Sequence, residues 1–295
     1  MHIGICLPNY GPASSPEAIR AVAQAAEDLG FDSLWTTDHI LVPEAHSQPY
    51  GRIFETWTTL TYVAALTRRV RLGTSILLLG LRNPVLVAKQ AATLDQLSNG
   101  RLILGIGAGW LAREFESLGM SFRRRIRFLE EGIILMRALW TNPRPRFQGR
   151  FFRIEDAVFE PLPVQPGGPP IWIGGNTEAA VRRAARLGDG WHPVGLDPET
   201  LRSRVAQLRE WSRGRSLSVI CRMYIAMDSH LPPVYTSPTG ERRMRLTGSE
   251  EQILGHLQAL RDAGADGVIL TFETPSAAAQ IEQMQRLAAL RRDLA

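Results

Sequence analysis

Hydrophobic positions along the chain follow two patterns that alternate. Short apolar runs, such as residues 70–76 and 102–106, predict strands that are buried on both faces. Between these runs, Val87, Ala91 and Leu94 recur at the spacing of one helix face, which predicts an amphipathic helix. Because two parallel strands need a crossover connection, this stretch predicts a right-handed strand–helix–strand unit.

The same strand-then-helix unit is repeated eight times over residues 1–295. The predicted strands lie at 2–7, 33–36, 70–76, 102–106, 171–173, within 189–193, at 217–227 and at 268–271. Two segments interrupt the repeat: residues 147–152 predict a β-hairpin excursion between strands four and five, and a polar insertion at 231–246 follows strand seven. Eight units without a domain boundary predict an α/β protein with a single-domain (β/α)8 TIM barrel.

Composition and charge narrow the function classes. Hydrophobic residues make up 44% and charged residues 21% of the chain, which is ordinary for a globular protein. The net charge is +5, but the arginine pairs lie on separate predicted elements and form no nucleic-acid-binding stripe. No apolar run approaches the ~20 residues that span a bilayer, and Pro8 ends the first run too early for a signal peptide. Cys6 and Cys221 show no disulfide or metal spacing, so we expect a cytoplasmic protein.

Glycines alternate at the end of the fourth predicted strand, at Gly105, Gly107 and Gly109. They allow a ligand to approach the backbone closely, and they equally allow a tight strand-to-loop turn. The spacing is G-x-G-x-G, and no acidic residue follows at a strand end ~20 residues on, so a dinucleotide-binding fingerprint is disfavoured.

The candidate functional residues lie at the carboxyl ends of the predicted strands, where TIM barrels place their active sites. His39 follows strand two beside Asp38 and is a candidate proton donor or hydrogen-bond donor near neutral pH. Residues 174–176 lead into a helix capped by Thr177, and the free N–H groups at such a helix start can bind an anion. The six histidines are dispersed, and neither a metal-binding motif nor a serine-hydrolase motif is present.

Seven motifs, taken together and in order, resemble the bacterial luciferase-like superfamily of flavin and deazaflavin oxidoreductases. The resemblance covers essentially the whole chain and is closest to the branch that uses the deazaflavin coenzyme F420. The motifs are Trp35–His39, Gly73–Ile76, Arg82–Pro84, Asp95–Arg101, Gly105–Trp110, Phe147–Phe151 and Ile173–Gly175.

The resemblance implies a cofactor ring at the barrel mouth, supported by a non-prolyl cis peptide between Ser75 and Ile76, with His39 as the catalytic residue. The implied cofactor-binding residues are Asp38 at the ring, Thr74, Ser75 and Ile76 at a bulge in strand three, Gly107, Ala108 and Gly109 at the ribityl chain, and Gly174, Gly175, Asn176 and Thr177 at the phosphate. In the sugar-phosphate dehydrogenase relative a glutamate follows the strand-four glycines, whereas this chain has Trp110. That departure implies a more apolar pocket and argues against glucose 6-phosphate.

The function that the resemblance implies is hydride transfer between F420 and an organic substrate. The alternative is a two-component monooxygenase that takes reduced FMN from a separate reductase and activates dioxygen. A cofactor-free barrel that acts as a binding protein is a third class, disfavoured by His39 and the glycine loops. The expected partners are a small-molecule substrate, a second copy of the chain and a flavin or deazaflavin reductase, with neither nucleic acid nor membrane.

The insertion Leu231–Leu246 leaves the predicted barrel at its active-site end and is rich in Pro, Gly and Arg. We interpret it as a mobile lid over the site. Arg242, Arg243 and Arg245 could meet an anionic cofactor tail, although a solvated run of charge fits the same pattern.

Overall fold

Strands and helices alternate through the computed structural model, which describes residues 1–291. The strands are β1 His2–Cys6, β2 Ser33–Thr36, β3 Arg71–Leu78, β4 Leu102–Gly107, β5 Phe147–Gln148, β6 Arg153–Ile154, β7 Ile171–Gly174, β8 Gly190–His192, β9 Ser218–Met227, β10 Val234–Thr236, β11 Arg242–Gly248 and β12 Gly267–Phe272. The α-helices are α1 Pro16–Asp28, α2 Ser47–Tyr50, α3 Thr56–Leu66, α4 Pro84–Leu97, α5 Ala112–Ser117, α6 Arg125–Thr141, α7 Glu178–Leu187, α8 Pro198–Trp211, α9 Glu250–Asp262 and α10 Ala277–Leu290.

Eight of these strands form a closed parallel barrel in the order β1–β2–β3–β4–β7–β8–β9–β12, and β12 returns to β1. The connections carry the surrounding helices α1, α3, α4, α6, α7, α8, α9 and α10. The predicted (β/α)8 TIM barrel is therefore confirmed. The last four residues of the predicted domain, 292–295, lie outside the described residues, and no helix within 1–291 is long and apolar enough to cross a bilayer.

Local sequence signals explain where the helices begin. Ser15 caps α1 by accepting the Ala18 N–H, and Pro16 occupies the first helical turn. A capping box starts α9, because the side chains of Ser249 and Gln252 each accept the other's backbone N–H. The apolar faces of these helices pack on the outside of the barrel, so the main core lies between helices and strands.

Two tryptophans fill the interior of the barrel. Trp35 on β2 and Trp172 on β7 are buried and stack with ring centroids 5.2 Å apart. Glycines on neighbouring strands make room for them: a Cβ atom at Gly73 would lie 2.2 Å from Trp35, and one at Gly190 would lie 2.6 Å from Trp172. Because both indoles precede the strand ends, they form a packed floor beneath the carboxyl-terminal mouth.

Strand β3 is irregular where the resemblance implies a bulge. Its register against β4 shifts between Thr74 and Leu77, and the peptide bond between Ser75 and Ile76 is cis. The implied non-prolyl cis peptide is thus confirmed. The strand continues to Leu78, two residues beyond its predicted end.

Both interruptions of the repeat are present. Strands β5 and β6 pair antiparallel, which confirms the hairpin excursion between the fourth and fifth barrel strands. The insertion after β9 folds as a second hairpin, in which β10 pairs antiparallel with β11. Residues Arg245–Gly248 of β11 also pair in parallel with Tyr224–Met227 of β9, so the insertion extends the barrel wall. Its mobility as a lid stays a prediction.

Candidate active site

A cavity of about 540 Å³ opens at the carboxyl ends of the barrel strands. The ends of β2, β3, β4, β7 and β9, the first turn of α7 and the β10–β11 hairpin surround it. The residues predicted from the sequence that line it are Asp38, His39, Ser75, Ile76, Ala108, Gly109, Gly174, Gly175, Asn176 and Thr177. The fold therefore brings all but two of the predicted site residues to one cavity.

Thr74 and Gly107 do not line this cavity. Thr74 is fully buried, and its hydroxyl donates to the Gly105 carbonyl oxygen at 2.8 Å within the barrel wall. Gly107 is covered by Ile76, whose Cδ1 atom would lie 2.0 Å from a Cβ at this position. Both residues thus lie behind the β3 bulge, and their contact with a cofactor stays a prediction.

A carboxylate on a different element fixes the ring of His39. Its Nδ1 lies 2.8 Å from Oε2 of Glu114, which is 1% exposed in the first turn of α5. Oε1 of Glu114 accepts the backbone N–H groups of Ile40 and Leu41. Burial alone would raise the pKa of Glu114, but the hydrogen bonds from His39 and these N–H groups lower it overall. Nδ1 therefore donates to an ionised carboxylate, which leaves Nε2 as the nitrogen that can take or give a proton.

Asp38 is directed away from His39, although the two residues are adjacent in sequence. Its carboxylate forms a bidentate pair with Arg82 at 2.7 and 2.8 Å and also accepts the Leu78 N–H at 2.8 Å. Burial raises the pKa of Asp38 above its usual value, and the charge of Arg82 opposes this rise. Asp38 thus ties the end of β2 to the end of β3. Its contact with a cofactor ring stays a prediction.

A second strand-end histidine, His192, holds the hydroxyl of Ser75 from behind the cavity. Its Nδ1 donates to the Ile220 carbonyl oxygen, so Nε2 accepts the Ser75 Oγ–H at 2.8 Å. Burial lowers the pKa of His192 to about 4, and the charge of Arg222 adds to this effect. His192 is therefore neutral at pH 7, and the hydrogen of the Ser75 hydroxyl is committed to it.

Because His192 is buried and neutral, we expect the folded protein to lose stability in acid. The unfolded chain protonates the residue near its usual pKa of 6.5 and the folded chain only near 4, so acid favours unfolding between these values. The difference corresponds to about 3 kcal/mol. We expect the stability advantage of the parent over His192→Gln in urea unfolding to shrink by that amount between pH 7 and pH 4. An advantage that stays constant over this range would contradict the prediction.

Two arginines and the start of a helix line the same cavity. Thr177 caps α7, and Thr177, Ala179 and Ala180 line the cavity together with Arg125 and Arg183. Arg183 uses Nε to bind Glu130 at 3.0 Å, and its two Nη groups donate to no other group within residues 1–291. Burial and the nearby charge of Arg183 both lower the pKa of Arg125. Two positive charges beside the free N–H groups at the start of α7 make this part of the cavity suited to a phosphate.

Gly175 and Asn176 shape the turn that precedes α7. Gly175 has a φ of +123°, a conformation that side chains rarely adopt. The amide of Asn176 is engaged with the loop after β8: it accepts the Val194 N–H at 2.9 Å and donates to the Val194 carbonyl oxygen at 2.8 Å. The predicted phosphate contact of Asn176 can therefore come from its backbone rather than from its amide.

Two of the three arginines of the inserted hairpin, Arg243 and Arg245, have carboxylate partners. Arg243 lines the cavity and pairs with Glu241 at 2.7 Å. Arg245 pairs with Glu273 and lines a neighbouring cavity of about 340 Å³ between β1, β9 and β12. Arg242 is exposed. The hairpin thus separates two cavities, and contact of its arginines with a cofactor tail stays a prediction.

Sequence reasoning missed Glu114, Arg125, Arg183 and Arg222. Glu114 lies 75 positions from His39, and its only sequence signal is its position early in the segment after the strand-four glycines. The three arginines lie within predicted helices and a predicted strand, and nothing in the local sequence distinguishes them from other arginines there. Within the described residues, no group of three or more His, Cys, Asp or Glu side chains is arranged to hold a metal ion.

Comparison with known proteins gives this geometry a context. Residues 1–231 match the family model described as luciferase-like monooxygenase. The chain belongs to this family. It is accordingly an oxidoreductase of the luciferase-like class, in agreement with the resemblance of its motifs.

The relatives of this luciferase-like protein include F420-dependent enzymes and monooxygenases. An F420-dependent glucose-6-phosphate dehydrogenase from Amycolatopsis mediterranei is 36% identical over 180 residues, which cover 60% of this chain and 53% of that enzyme. The monooxygenase RslO1 from Streptomyces bottropensis has a TM-score of 0.81 at 23% identity, with all of both chains covered. An F420-dependent secondary alcohol dehydrogenase has a TM-score of 0.82 at 21% identity over 97% of each chain. The two solved structures establish the shared fold.

Proposed function

We propose that the protein transfers a hydride between coenzyme F420 and an organic substrate that carries an oxidisable alcohol or a reducible carbonyl. The observation that carries the proposal is that one cavity is lined both by a carboxylate-oriented histidine and by a helix start that can bind an anion. A cofactor with a ring, a linker and a phosphate could contact both.

The donor groups in the cavity fit such a cofactor. Arg125, Arg183 and the first turn of α7 would hold its phosphate, and Ala108 and Gly109 would border its linker. Ser75 and Ile76 would support its ring. Bound there, the cofactor would supply a ring carbon that accepts or gives a hydride.

His39 would handle the proton that accompanies the hydride. Oxidation of an alcohol removes a hydride from carbon and a proton from oxygen, and Nε2 is the nitrogen left free by the Glu114 bond. Tyr50 and Trp110 lie beside His39, with ring centroids 4.7 and 6.1 Å away. These aromatic neighbours favour an apolar substrate. Arg125 and Arg183, the cations that fit a phosphate, would already be engaged by the cofactor phosphate, which argues against glucose 6-phosphate.

The preference for F420 is supported by the 36% identical F420-dependent relative. The monooxygenase description of the matched family supports FMN as the second candidate, with reduced FMN delivered by a separate reductase. The two functions differ in the fate of the reduced cofactor: an organic substrate accepts its hydride in one, and dioxygen reacts with it in the other.

Cofactor titration tests the proposal. Calorimetry or fluorescence quenching with oxidised and reduced F420 and FMN should give an affinity for F420 at least about tenfold higher, a difference of about 1.4 kcal/mol. Tighter binding of reduced FMN, with substrate-dependent oxygen consumption, would favour the monooxygenase. Binding of neither cofactor would favour the cofactor-free barrel.

A further inference from the structure

Arg222 is a buried cation that faces the active-site cavity and bonds only to neutral groups. It lies on β9, is 7% exposed and lines the cavity. Its Nε donates to Thr271 Oγ1 at 3.0 Å, and its Nη2 donates to Thr37 Oγ1 at 3.0 Å and to the Tyr10 hydroxyl at 3.4 Å. Its Nη1 donates to the Ser75 carbonyl oxygen and, at 3.5 Å, to the Ser75 hydroxyl oxygen. All five acceptors are neutral at pH 7, so none of them compensates the guanidinium charge.

The carboxylates that line the same cavity are paired with other arginines. Asp38 binds Arg82, and Glu241 binds Arg243. Across residues 1–291, no carboxylate forms an ion pair with Arg222. A buried charge without a counter-ion is unfavourable, and a bound anion in the cavity would offset that cost.

A purely structural role would not require this charge. The hydrogen bonds of Arg222 join β9 to β3, to β12 and to the loops after β1 and β2, and neutral donors could make similar bonds. What the guanidinium adds is a permanent positive charge in a site where water is largely excluded, and there a charge acts more strongly than in water.

We propose that Arg222 stabilises the negative charge that the bound cofactor gains when it accepts a hydride, and thereby favours the reduced cofactor on the enzyme. The inference rests on the proposed function. With the cofactor bound, the substrate C–H bond would break, its electron pair and hydrogen would pass to the ring, and the alcohol proton would pass to His39, so the ring would gain one negative charge. Because Arg222 binds the carbonyl of Ser75, its charge lies beside the predicted ring support.

The test is the ratio of dissociation constants for oxidised and reduced cofactor, measured anaerobically by titration of the full chain with F420 and with FMN. In Arg222→Met, we expect the preference for the reduced form to fall by about 10–100-fold, which for a two-electron couple corresponds to about 30–60 mV. Arg222→Lys keeps the positive charge but loses the planar guanidinium, so its ratio should stay within about threefold of the parent value.

A second pair of variants tests the charge without removing the arginine, should Arg222→Met fail to fold. Thr271→Asp places a carboxylate at the Nε partner position and should also lower the preference for the reduced form, whereas the neutral Thr271→Asn should not. An unchanged ratio in Thr271→Asp, an unchanged ratio in a folded Arg222→Met, or equal losses in Arg222→Met and Arg222→Lys would overturn the inference while leaving the proposed function intact. A parent enzyme that binds neither cofactor would overturn both.

Discussion

Replacement of His39 by alanine is expected to lower turnover by about 10²–10⁴-fold while changing cofactor affinity only a few-fold. The imidazole is the cavity group held by a buried carboxylate with one nitrogen free, so its removal takes away the proton acceptor and little of the cofactor-binding surface. Steady-state kinetics and cofactor titration on the same preparation would separate the two effects.

His46→Ala is the matched control for this variant. His46 also contacts Trp110, edge-on at 5.1 Å, but it is partly exposed and forms no ion pair with a carboxylate in the described residues. Glu114→Gln should also lower turnover, because its carboxamide has only one acceptor oxygen. If that oxygen accepts from Nδ1, the NH2 group faces the N–H groups of Ile40 and Leu41, and the reverse orientation favours the wrong imidazole tautomer. An unchanged kcat in His39→Ala would remove this residue from the mechanism.

Replacement of Arg183 by methionine is expected to weaken binding of a phosphate-bearing cofactor by about 10–100-fold, the value of one hydrogen bond to a charged group. The same ring and ribityl chain without the phosphate should bind the variant and the parent equally. Glu130 keeps Arg186 as a partner, so the substitution does not leave a carboxylate without a cation.

Arg182→Met provides the control for Arg183, since Arg182 lies on the same helix but is exposed and paired with Glu178. Gly175→Val, which the sequence suggests for the same purpose, is less selective. Its positive φ and the Ala180 Cβ, 3.0 Å from the position a new Cβ would take, predict a loss of folding stability as well as of affinity. If Arg183→Met weakens binding of both ligands by the same factor, the assignment of the phosphate to the start of α7 is wrong.

The sequence predicts the barrel well because each unit carries its own local signals. Apolar strands, helix periodicity and helix caps recur with every repeat, and each is encoded within about a dozen residues. The bulge at Ser75 and Ile76 was accessible only through the family resemblance, because no local pattern specifies it.

The side-chain partners could not be predicted in the same way, because they depend on contacts across the barrel mouth. Asp38 and His39 are adjacent in the segment after β2, but their side chains point in different directions. Asp38 therefore binds Arg82 and leaves His39 to Glu114. Arg222 lies within a mostly apolar strand, and its position facing the cavity is seen only in the closed barrel.

Because β11 pairs with the C-terminal half of β9, closing the barrel and lining the cavity fall to different segments of the chain. The ring of strands is already closed lower down, where Trp191 pairs with Val219, and β11 is added above that closure at Tyr224–Met227. Thr239 and Glu241, at the turn of the hairpin, line the cavity without belonging to the closing strands. The hairpin turn can therefore change in sequence, and with it the range of accepted substrates, while the barrel and His39 remain as they are.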